Sequence, residues 1–399
     1  MHYQKYLRLL LYLLPVIGYS QKIKKIECGT ITTIKVMATY DEALLKSKER
    51  ALKSPFVLAT TYYVRVFIHD YISNTGSDSA WSKKEVVDEF NVAADLLRPY
   101  NICLVLGGID YPRNTAFKDS FHTSNIGIIQ ANTQINHPSS IDVTLHKKLQ
   151  DNDGGLNGIC YDINGKWMSL STGAITNRSF AHELGHCFGL LHTFEPAYGL
   201  ECPDGSNSAT AGDKITDTRA TPVADSALSV NTSVACVYSG NLSINCNNAN
   251  WIYNPEITNI MSYGRRNCRS VFSDKQVLLM KSDFDNNAVL KRVWFENIIP
   301  ITYAPFFNIP LYAFTDTVLI GSSIQLGNNT SGSLNFFMGS NAVQRVLSPS
   351  YIVITPGVQI APSSADFNRG SVVLSIATIC NIASTFKAIE PTLKEVKKE

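Results

Sequence analysis

Residues 182–192 read HELGHCFGLLH and bring three histidines and one glutamate into eleven positions. His182 and His186 are four residues apart, so a helix would place both side chains on one face, a turn apart. Glu183 follows the first histidine, and its carboxylate can therefore reach a water molecule at a metal ion without ligating the metal itself. This spacing predicts a metal site on a helix at about residues 179–188.

The end of the same string predicts how a third ligand reaches the site. Gly189 stands where the helix must end, because glycine tolerates the left-handed turn that terminates helices. The chain can then turn back and bring in His192. Three neutral imidazoles leave a fourth zinc position for water, which is typical of a catalytic site rather than a structural one.

The complete string resembles the signature of the metzincin clan of zinc metallopeptidases. Met261, within the NIMSY of residues 259–263, stands where metzincins carry a methionine turn beneath the metal. The segments HTF at 192–194 and GDKITDT at 212–218, and Cys268 followed by FSDKQ at 272–276, are similar to the pappalysin family. The resemblance covers roughly residues 55 to 290 and implies hydrolysis of peptide bonds.

The resemblance implies an α+β fold. The metzincin catalytic domain combines a twisted mixed sheet and an active-site helix with a loop-rich lower half, and a small all-β C-terminal domain follows it here. Short apolar runs separated by Gly, Ser and Asn predict that β domain as a solenoid fragment or a sandwich. The expected organisation is a signal peptide at 1–20, a short pro-segment at 21–54, the catalytic domain at 55–300, the β-rich accessory domain at 311–385 and a charged tail at 386–399.

Charge and the N-terminal segment limit the choice of partners. The net charge is +2 and charged residues make up 17% of the chain, which gives no general attraction to nucleic acid or membrane. Residues 1–20 join a basic start to an apolar stretch too short to span a bilayer and end in small residues, so they predict a secretory signal; the alternative is an uncleaved anchor. The expected partner is a peptide substrate bound extended along a cleft, with no nucleic acid and no membrane after signal removal. The sequence does not determine the oligomeric state.

Nine cysteines suit an exported protein. Four of them flank the methionine turn and allow three pairings; the pappalysin resemblance implies Cys202 with Cys246 and Cys236 with Cys268. Four more, which lie in apolar runs, are expected to be small buried residues: Cys103, Cys160, Cys187 and Cys380.

Cys28 begins a Cys-Gly-Thr segment in the predicted pro-segment. A thiolate is a good zinc ligand, so a cysteine here can fill the fourth position and displace the water. Proforms in the pappalysin family carry such a segment, which makes Cys28 a candidate latency switch. The alternative is an ordinary free thiol.

The expected chemistry assigns two catalytic roles. Glu183 would act as general base and return the proton to the leaving amine. Tyr263, two residues after the turn methionine, would donate a hydrogen bond to the oxyanion, as in some relatives; the alternative is a tyrosine packed in the turn.

Family members that prefer a basic residue after the scissile bond carry an acidic residue before the cysteine at position 268. Here that residue is Asn267, preceded by Arg265 and Arg266, so a basic preference is expected to be lost.

The cysteine-rich loop also gathers oxygen ligands. Asp213, Asp217 and Thr218 match a calcium-binding pattern of the family best, and hard oxygen donors suit calcium. Solvated loop acids are the alternative. The expected cofactors are therefore zinc and, in addition, calcium.

Residue patterns also predict individual elements. Trp167 to Leu170 is the candidate edge strand that pairs with extended substrate. The other predictions are helices at 41–53, 83–98 and 273–283, and strands at 62–70, 102–106, 126–131, 141–145 and 166–171.

The main alternative function is a non-catalytic adhesin or binding protein with structural zinc. An intact Glu183 argues against it, because a structural site needs no base. A toxin-like peptidase acting on one host protein would carry the same motifs.

Overall fold

The computed structural model describes residues 28–53, 60–222 and 231–295, and the backbone of seven strands between residues 316 and 376. The predicted signal at 1–20 and the charged tail at 386–399 lie outside the described residues. Within the described part, no helix is long and apolar enough to cross a membrane.

A mixed sheet forms the centre of the fold, as the α+β prediction requires. Its strand β1 pairs in parallel with β2 on one side and with β4 on the other. Strand β8 extends the sheet in parallel with β4, and β7 closes it with an antiparallel edge. The strands up to residue 295 are β1 Tyr62–Asp70, β2 Ile102–Asp110, β3 Phe121–His122, β4 Ile141–His146, β5 Leu149–Asp151, β6 Gly154–Leu156, β7 Gly158–Cys160, β8 Trp167–Ser171, β9 Ser243–Cys246, β10 Ala249–Ile252 and β11 Trp294–Phe295.

Two helices begin at capping boxes that the sequence predicts. The hydroxyl of Ser82 accepts a hydrogen bond from the Glu85 amide, and the Glu85 carboxylate accepts one from the Ser82 amide, which starts α2 with a complete capping box. Ser273 and Gln276 start α6 in the same way. The helices are α1 Ile34–Lys53, α2 Lys83–Leu97, α3 Thr115–Asp119, α4 Ile126–Gln130, α5 Ser179–Cys187 and α6 Asp274–Asn286.

The two faces of the sheet have different environments because side chains alternate along a strand. Val66 and Ile68 of β1 are fully buried in the main core together with Phe180 and Leu184 of α5. The opposite face carries aromatic and polar side chains, including His69. The helix that carries the predicted metal ligands therefore packs against only one of the two faces of the sheet.

Disulfides hold the loop-rich lower half. Cys202 is bonded to Cys246, and Cys236 to Cys268, which confirms the pairing that the resemblance implied. Such bonds stabilise a segment that has little core of its own. Cys103 is a small buried residue, as expected, and it is also disulfide-bonded. Cys380, for which burial was also expected, lies outside the described residues.

Three sequence predictions differ from the structure. Residues 126–131 were expected to form a strand, but residues 126–130 form the short helix α4; a brief apolar run has too few residues for its periodicity to decide. Helix α1 starts at Ile34 rather than near residue 41. Trp167–Leu170 is not an edge, because β8 pairs on both sides; the edge is β7.

The C-terminal strands pair mostly in parallel. Asp316 is opposite Val343, and Val343 is opposite Ser371, so successive rungs are offset by 27 and 28 residues. Parallel rungs at a regular offset favour the solenoid interpretation over a sandwich. The first of these strands also pairs antiparallel with β2. They are β12 Asp316–Ile320, β13 Ile324–Leu326, β14 Leu334–Met338, β15 Val343–Ser348, β16 Ile352–Ile354, β17 Val358–Pro362 and β18 Ser371–Ile376.

Candidate metal centre

The three predicted histidine ligands converge. The Nε2 atom of His192 lies 3.2 Å from Nε2 of His182 and 3.1 Å from Nε2 of His186. The Sγ atom of Cys28 joins them, and one ligand atom from each of the four residues lies within 4.8 Å of the others. All four side chains are buried.

Hydrogen bonds fix the ring orientations. His182 donates from Nδ1 to the carbonyl of Ile260 at 2.7 Å, and His186 donates from Nδ1 to the carbonyl of Leu190 at 2.8 Å. Burial lowers the pKa of His182 well below its usual value and that of His186 to about 4, so both imidazoles are neutral. Their Nε2 lone pairs therefore face one another, an arrangement that repels unless a cation lies between them. The donor set fits zinc.

The turn after α5 depends on Gly189. Its φ is +98°, and its amide donates to the carbonyl of His186 at 3.0 Å. A Cβ atom at this position would overlap with Asp283 Oδ2 and Asn164 Oδ1. Glycine is therefore required both for the backbone conformation and for space, and sequence analysis predicted only the first reason.

Met261 lies beneath the histidines, as a methionine turn would. It is fully buried, and its carbonyl accepts a hydrogen bond from the Thr193 amide at 3.2 Å. A Cβ on Gly185 would overlap with the Met261 sulfur, so α5 rests directly on this side chain. The turn thus supports both α5 and the segment of chain that follows His192.

Glu183 is fully buried beside the histidines. Its Oε2 accepts a hydrogen bond from Cys28 Sγ at 3.3 Å, and Thr30 Oγ1 also lies 3.3 Å from this oxygen. Its Oε1 has no hydrogen-bond partner among the described residues. Burial raises the pKa of Glu183 to about 8, so this carboxyl group can hold a proton near neutral pH.

The Cys-Gly-Thr segment at residues 28–30 lies along the free side of the edge strand β7 and forms hydrogen bonds with it. The Gly29 amide donates to the Gly158 carbonyl at 3.0 Å. Thr30 Oγ1 accepts from the Cys160 amide at 2.9 Å and donates to the Cys160 carbonyl at 3.0 Å. Burial raises the pKa of the Cys28 thiol well above its usual value, and the charge of Glu183 raises it further. Thr30 was not singled out from the sequence, because its partner lies 130 residues away.

Tyr263 lies at the same centre. Its hydroxyl donates to the Cys28 carbonyl at 3.3 Å, and its ring centroid is 5.2 Å from that of His192. The hydroxyl thus contacts the backbone of the segment that fills the cleft.

The predicted calcium ligands have different hydrogen-bond partners. Thr218 Oγ1 donates to Asp213 Oδ1 at 2.9 Å, so these two residues are together. Asp217 instead accepts from Ser273 Oγ at 2.7 Å and from the Lys275 amide at 2.9 Å, at the start of α6. Burial raises the pKa of Asp213, and the charge of Glu201 raises it further; Oε2 of Glu201 is buried without a hydrogen-bond partner among the described residues.

Two further charged residues next to the centre were missed. Asp283 of α6 faces Gly189, and burial raises its pKa to about 7. Arg269 is almost fully buried and donates to the Asn177 carbonyl at 3.2 Å, just before α5. A charged residue in an apolar or loop segment gives no sequence signal of its burial; only tertiary packing reveals it.

One family model and several solved structures are similar to this chain. Residues 151–285 match the model of the peptidase family described as "Pregnancy-associated plasma protein-A". Among curated proteins, none matches the chain. Solved structures with similarity include mirolysin in complex with a small compound (16% identity, 58% of this chain and 95% of that chain, TM-score 0.41). A mutant of Tannerella forsythia promirolysin is also similar (16% identity, 65% and 90%, TM-score 0.45), as is metalloproteinase-II from Bacteroides fragilis (13% identity, 34% and 45%, TM-score 0.26).

The family match confirms the resemblance drawn from the motifs, because the matched segment contains α5, the three histidines and the methionine turn. The similarity to this metallopeptidase family therefore covers the segment that holds the candidate metal centre, and members of such a family hold zinc.

Proposed function

We propose that the chain is a secreted, zinc-dependent endopeptidase made in a latent form, with Glu183 as its general base. The observation that carries the proposal is the convergence of three Nε2 atoms beside one buried carboxylate. The paired disulfides of the lower half agree with an oxidising, extracellular setting.

His182, His186 and His192 would hold the zinc. When bound, zinc supplies Lewis-acid polarisation of the scissile carbonyl and lowers the pKa of water to about 7. Glu183 takes a proton from the attacking water through the oxygen that has no partner among the described residues, and then delivers it to the departing amine. Tyr263 donates its hydroxyl hydrogen to the developing oxyanion.

Strand β7 would bind the substrate backbone. Its outward amide and carbonyl groups at Cys160 and its carbonyl at Gly158 now engage Thr30 and Gly29. An extended peptide can replace those bonds with its own main chain, which gives sequence-tolerant affinity. Gly158 also keeps this edge close to the base, because a Cβ there would lie 2.7 Å from Glu183 Oε1.

Cys28 would act as the latency switch. Its sulfur lies where a fourth ligand would bind, and Thr30 holds the general base at the same time. Helix α1 anchors the segment through Tyr40, whose hydroxyl donates to the Asp213 carbonyl at 2.7 Å, and through a 2.6 Å ion pair between Asp41 and Lys214. Release therefore requires the whole segment to detach.

The test of latency compares the full-length chain with its Cys28→Ala variant, using Cys187→Ala as a control for removing a buried thiol on α5. We expect the Cys28→Ala protein to hydrolyse a mixed peptide library faster than the other two. Equal rates in all three would refute the latency role but leave the peptidase proposal intact.

The test of the base is the Glu183→Gln substitution in the Cys28→Ala background. Loss of a general base lowers turnover by about 10²- to 10⁴-fold. The bound zinc should stay, because Glu183 is not a ligand. Loss of zinc together with activity would support a structural role and the adhesin alternative.

Calcium binding in the disulfide-bonded loop is a finer proposal. Two buried carboxylates, Glu201 and Asp213, repel each other, and burial raises the pKa of Glu201 to about 7. A calcium ion there would neutralise both. We expect added Ca²⁺ to raise the thermal unfolding midpoint of the wild type but not of a Glu201→Gln variant, whereas equal midpoints with Ca²⁺ and with a chelator would contradict the proposal.

A further inference from the structure

A second cluster of metal-ligand side chains lies on the opposite face of the sheet from the zinc helix. His69 is the penultimate residue of β1, Asp142 is near the start of β4, and His137 lies in the loop before β4. One ligand atom from each of the three lies within 4.8 Å of the others. His69 and Asp142 are fully buried, whereas the His137 side chain is 30% exposed.

The three side chains converge on one oxygen. Asp142 Oδ1 lies 3.3 Å from His69 Nε2 and 3.0 Å from His137 Nδ1. The other carboxylate oxygen of Asp142 is engaged by Lys166 Nζ and by the His137 amide at 3.1 Å. Oδ1 is therefore the oxygen available to a ligand, and two ring nitrogens point at it.

The back of His69 is held in the way that metal-binding histidines usually are. Its Nδ1 donates to Asp110 Oδ1 at 2.7 Å, at the end of β2. A carboxylate on this nitrogen sets the tautomer and directs the Nε2 lone pair to the other side of the ring. Burial lowers the pKa of His69, but the charges and hydrogen bonds of Asp110 and Asp142 outweigh it and raise the pKa to about 9. Without a metal ion, His69 Nε2 therefore carries a proton that it donates to Asp142 Oδ1, and a metal ion would bind by displacing that proton.

We propose that His69, His137 and Asp142 bind a divalent transition-metal ion of the zinc class, at a site separate from the peptidase centre. Without a cation, two protonated ring nitrogens must donate to one carboxylate oxygen. A metal ion replaces both protons and takes one lone pair from each residue. Two imidazole nitrogens and one carboxylate oxygen suit zinc or a similar ion better than calcium or magnesium, which prefer all-oxygen sets.

The site has the other properties that metal binding needs. Once a metal ion has displaced the Nε2 proton of His69, Asp110, Asp142 and Lys166 together leave a formal charge of −1, which favours the bound cation. His137 is half-buried and gives access from solvent. The ion would tie β1 to β4 and to the loop before it, so its role would be to stabilise the sheet. Because the two faces of the sheet are separate, this inference does not depend on the proposed function.

The test measures zinc content in the full-length chain. Metal-free protein is dialysed against Zn²⁺ and then against buffer, and zinc is measured by mass spectrometry. We expect about two zinc ions per chain in the wild type and about one in His137→Gln, because a site of this kind needs all its ligands. His122→Gln, at a partly exposed histidine bonded to Ser124, is the matched control and should keep two.

The proposal is overturned if the wild type and the His137→Gln variant keep the same number of zinc ions, whatever that number is. If His137→Gln does not fold, zinc-edge anomalous diffraction from wild-type crystals decides the question. A peak between His69 and Asp142 supports the site, and its absence in zinc-loaded crystals, with protons alone joining these residues, refutes it.

Discussion

Substitution of Gly189 by alanine measures how much the turn after α5 contributes to the metal centre. Gly189 has a φ of +98° and no room for a Cβ, which would overlap with Asp283 and Asn164. Gly199 has a φ of +88°, and no atom of the described residues, apart from Gly199 and its chain neighbours, lies within 4 Å of the place that a Cβ would take. It is therefore a matched control that has the backbone strain without the overlap.

The magnitudes follow from these two geometries. A non-glycine residue in a left-handed conformation costs about 1–2 kcal/mol, and this is the expected destabilisation for Gly199→Ala. Gly189→Ala adds an overpacking cost of about 1–3 kcal/mol, since Asp283 and Asn164 must move. The total of about 2–5 kcal/mol would also displace His192 and weaken zinc binding.

The assay is urea unfolding of both variants, followed by tryptophan fluorescence, with zinc affinity measured by competition with a chelator. We expect Gly189→Ala to be the less stable by at least about 1 kcal/mol, the lower end of the overpacking cost, and to bind zinc more weakly than Gly199→Ala. Equal stabilities and equal zinc affinities would refute the reasoning that this glycine is required by space as well as by conformation.

Single residues elsewhere in the chain give three more expected outcomes. In the Cys28→Ala background, Tyr263→Phe should lower kcat by about 10²- to 10³-fold, the usual cost of one oxyanion donor; unchanged turnover would leave Tyr263 as a packing residue. Burial lowers the pKa of His146 to about 3, whereas its value in the unfolded chain is near 6.5. Below pH 6.5 the unfolded chain therefore binds a proton that the folded chain does not. The free energy of unfolding should fall by about 1.4 kcal/mol per pH unit from pH 6.5 towards pH 3. The urea midpoints measured at pH 7.5 and at pH 5 should therefore lie closer together in His146→Gln than in the wild type, and an unchanged pH dependence would contradict this. Arg265 is exposed and lies two residues after Tyr263. Its positive charge disfavours basic substrate residues, so a peptide library should show no selection for Arg or Lys after the scissile bond. Strong basic selection would overturn that expectation.

The sequence could predict the elements whose residues are close together in the chain. The bounds of β1 came from an unbroken β-branched and aromatic run, and those of α2 from a capping box followed by helical spacing. The convergence of His182, His186 and His192 follows from spacing within eleven residues. In each case, local geometry already determines which side chains meet.

The remaining contacts depend on segments that are distant in the chain. Thr30 meets Cys160 across 130 residues, and only the folded sheet shows that β7, rather than β8, is the edge. The cluster of His69, His137 and Asp142 combines two strands and a loop in the same way. The acidic motif around Asp217 predicts a calcium ligand, but it does not show the hydrogen bonds of Asp217 to Ser273 and Lys275, which lie 56 and 58 residues further along the chain.

Peptide-bond hydrolysis by the Cys28→Ala chain, measured as a function of bound zinc, decides whether this centre is a peptidase site. We predict no hydrolysis after chelation, recovery when zinc is restored, and no recovery in a Glu183→Gln chain that binds the same metal. Hydrolysis that persists in the chelated protein, or that is absent from the zinc-loaded protein, would show that these histidines and this glutamate do not form a peptidase centre.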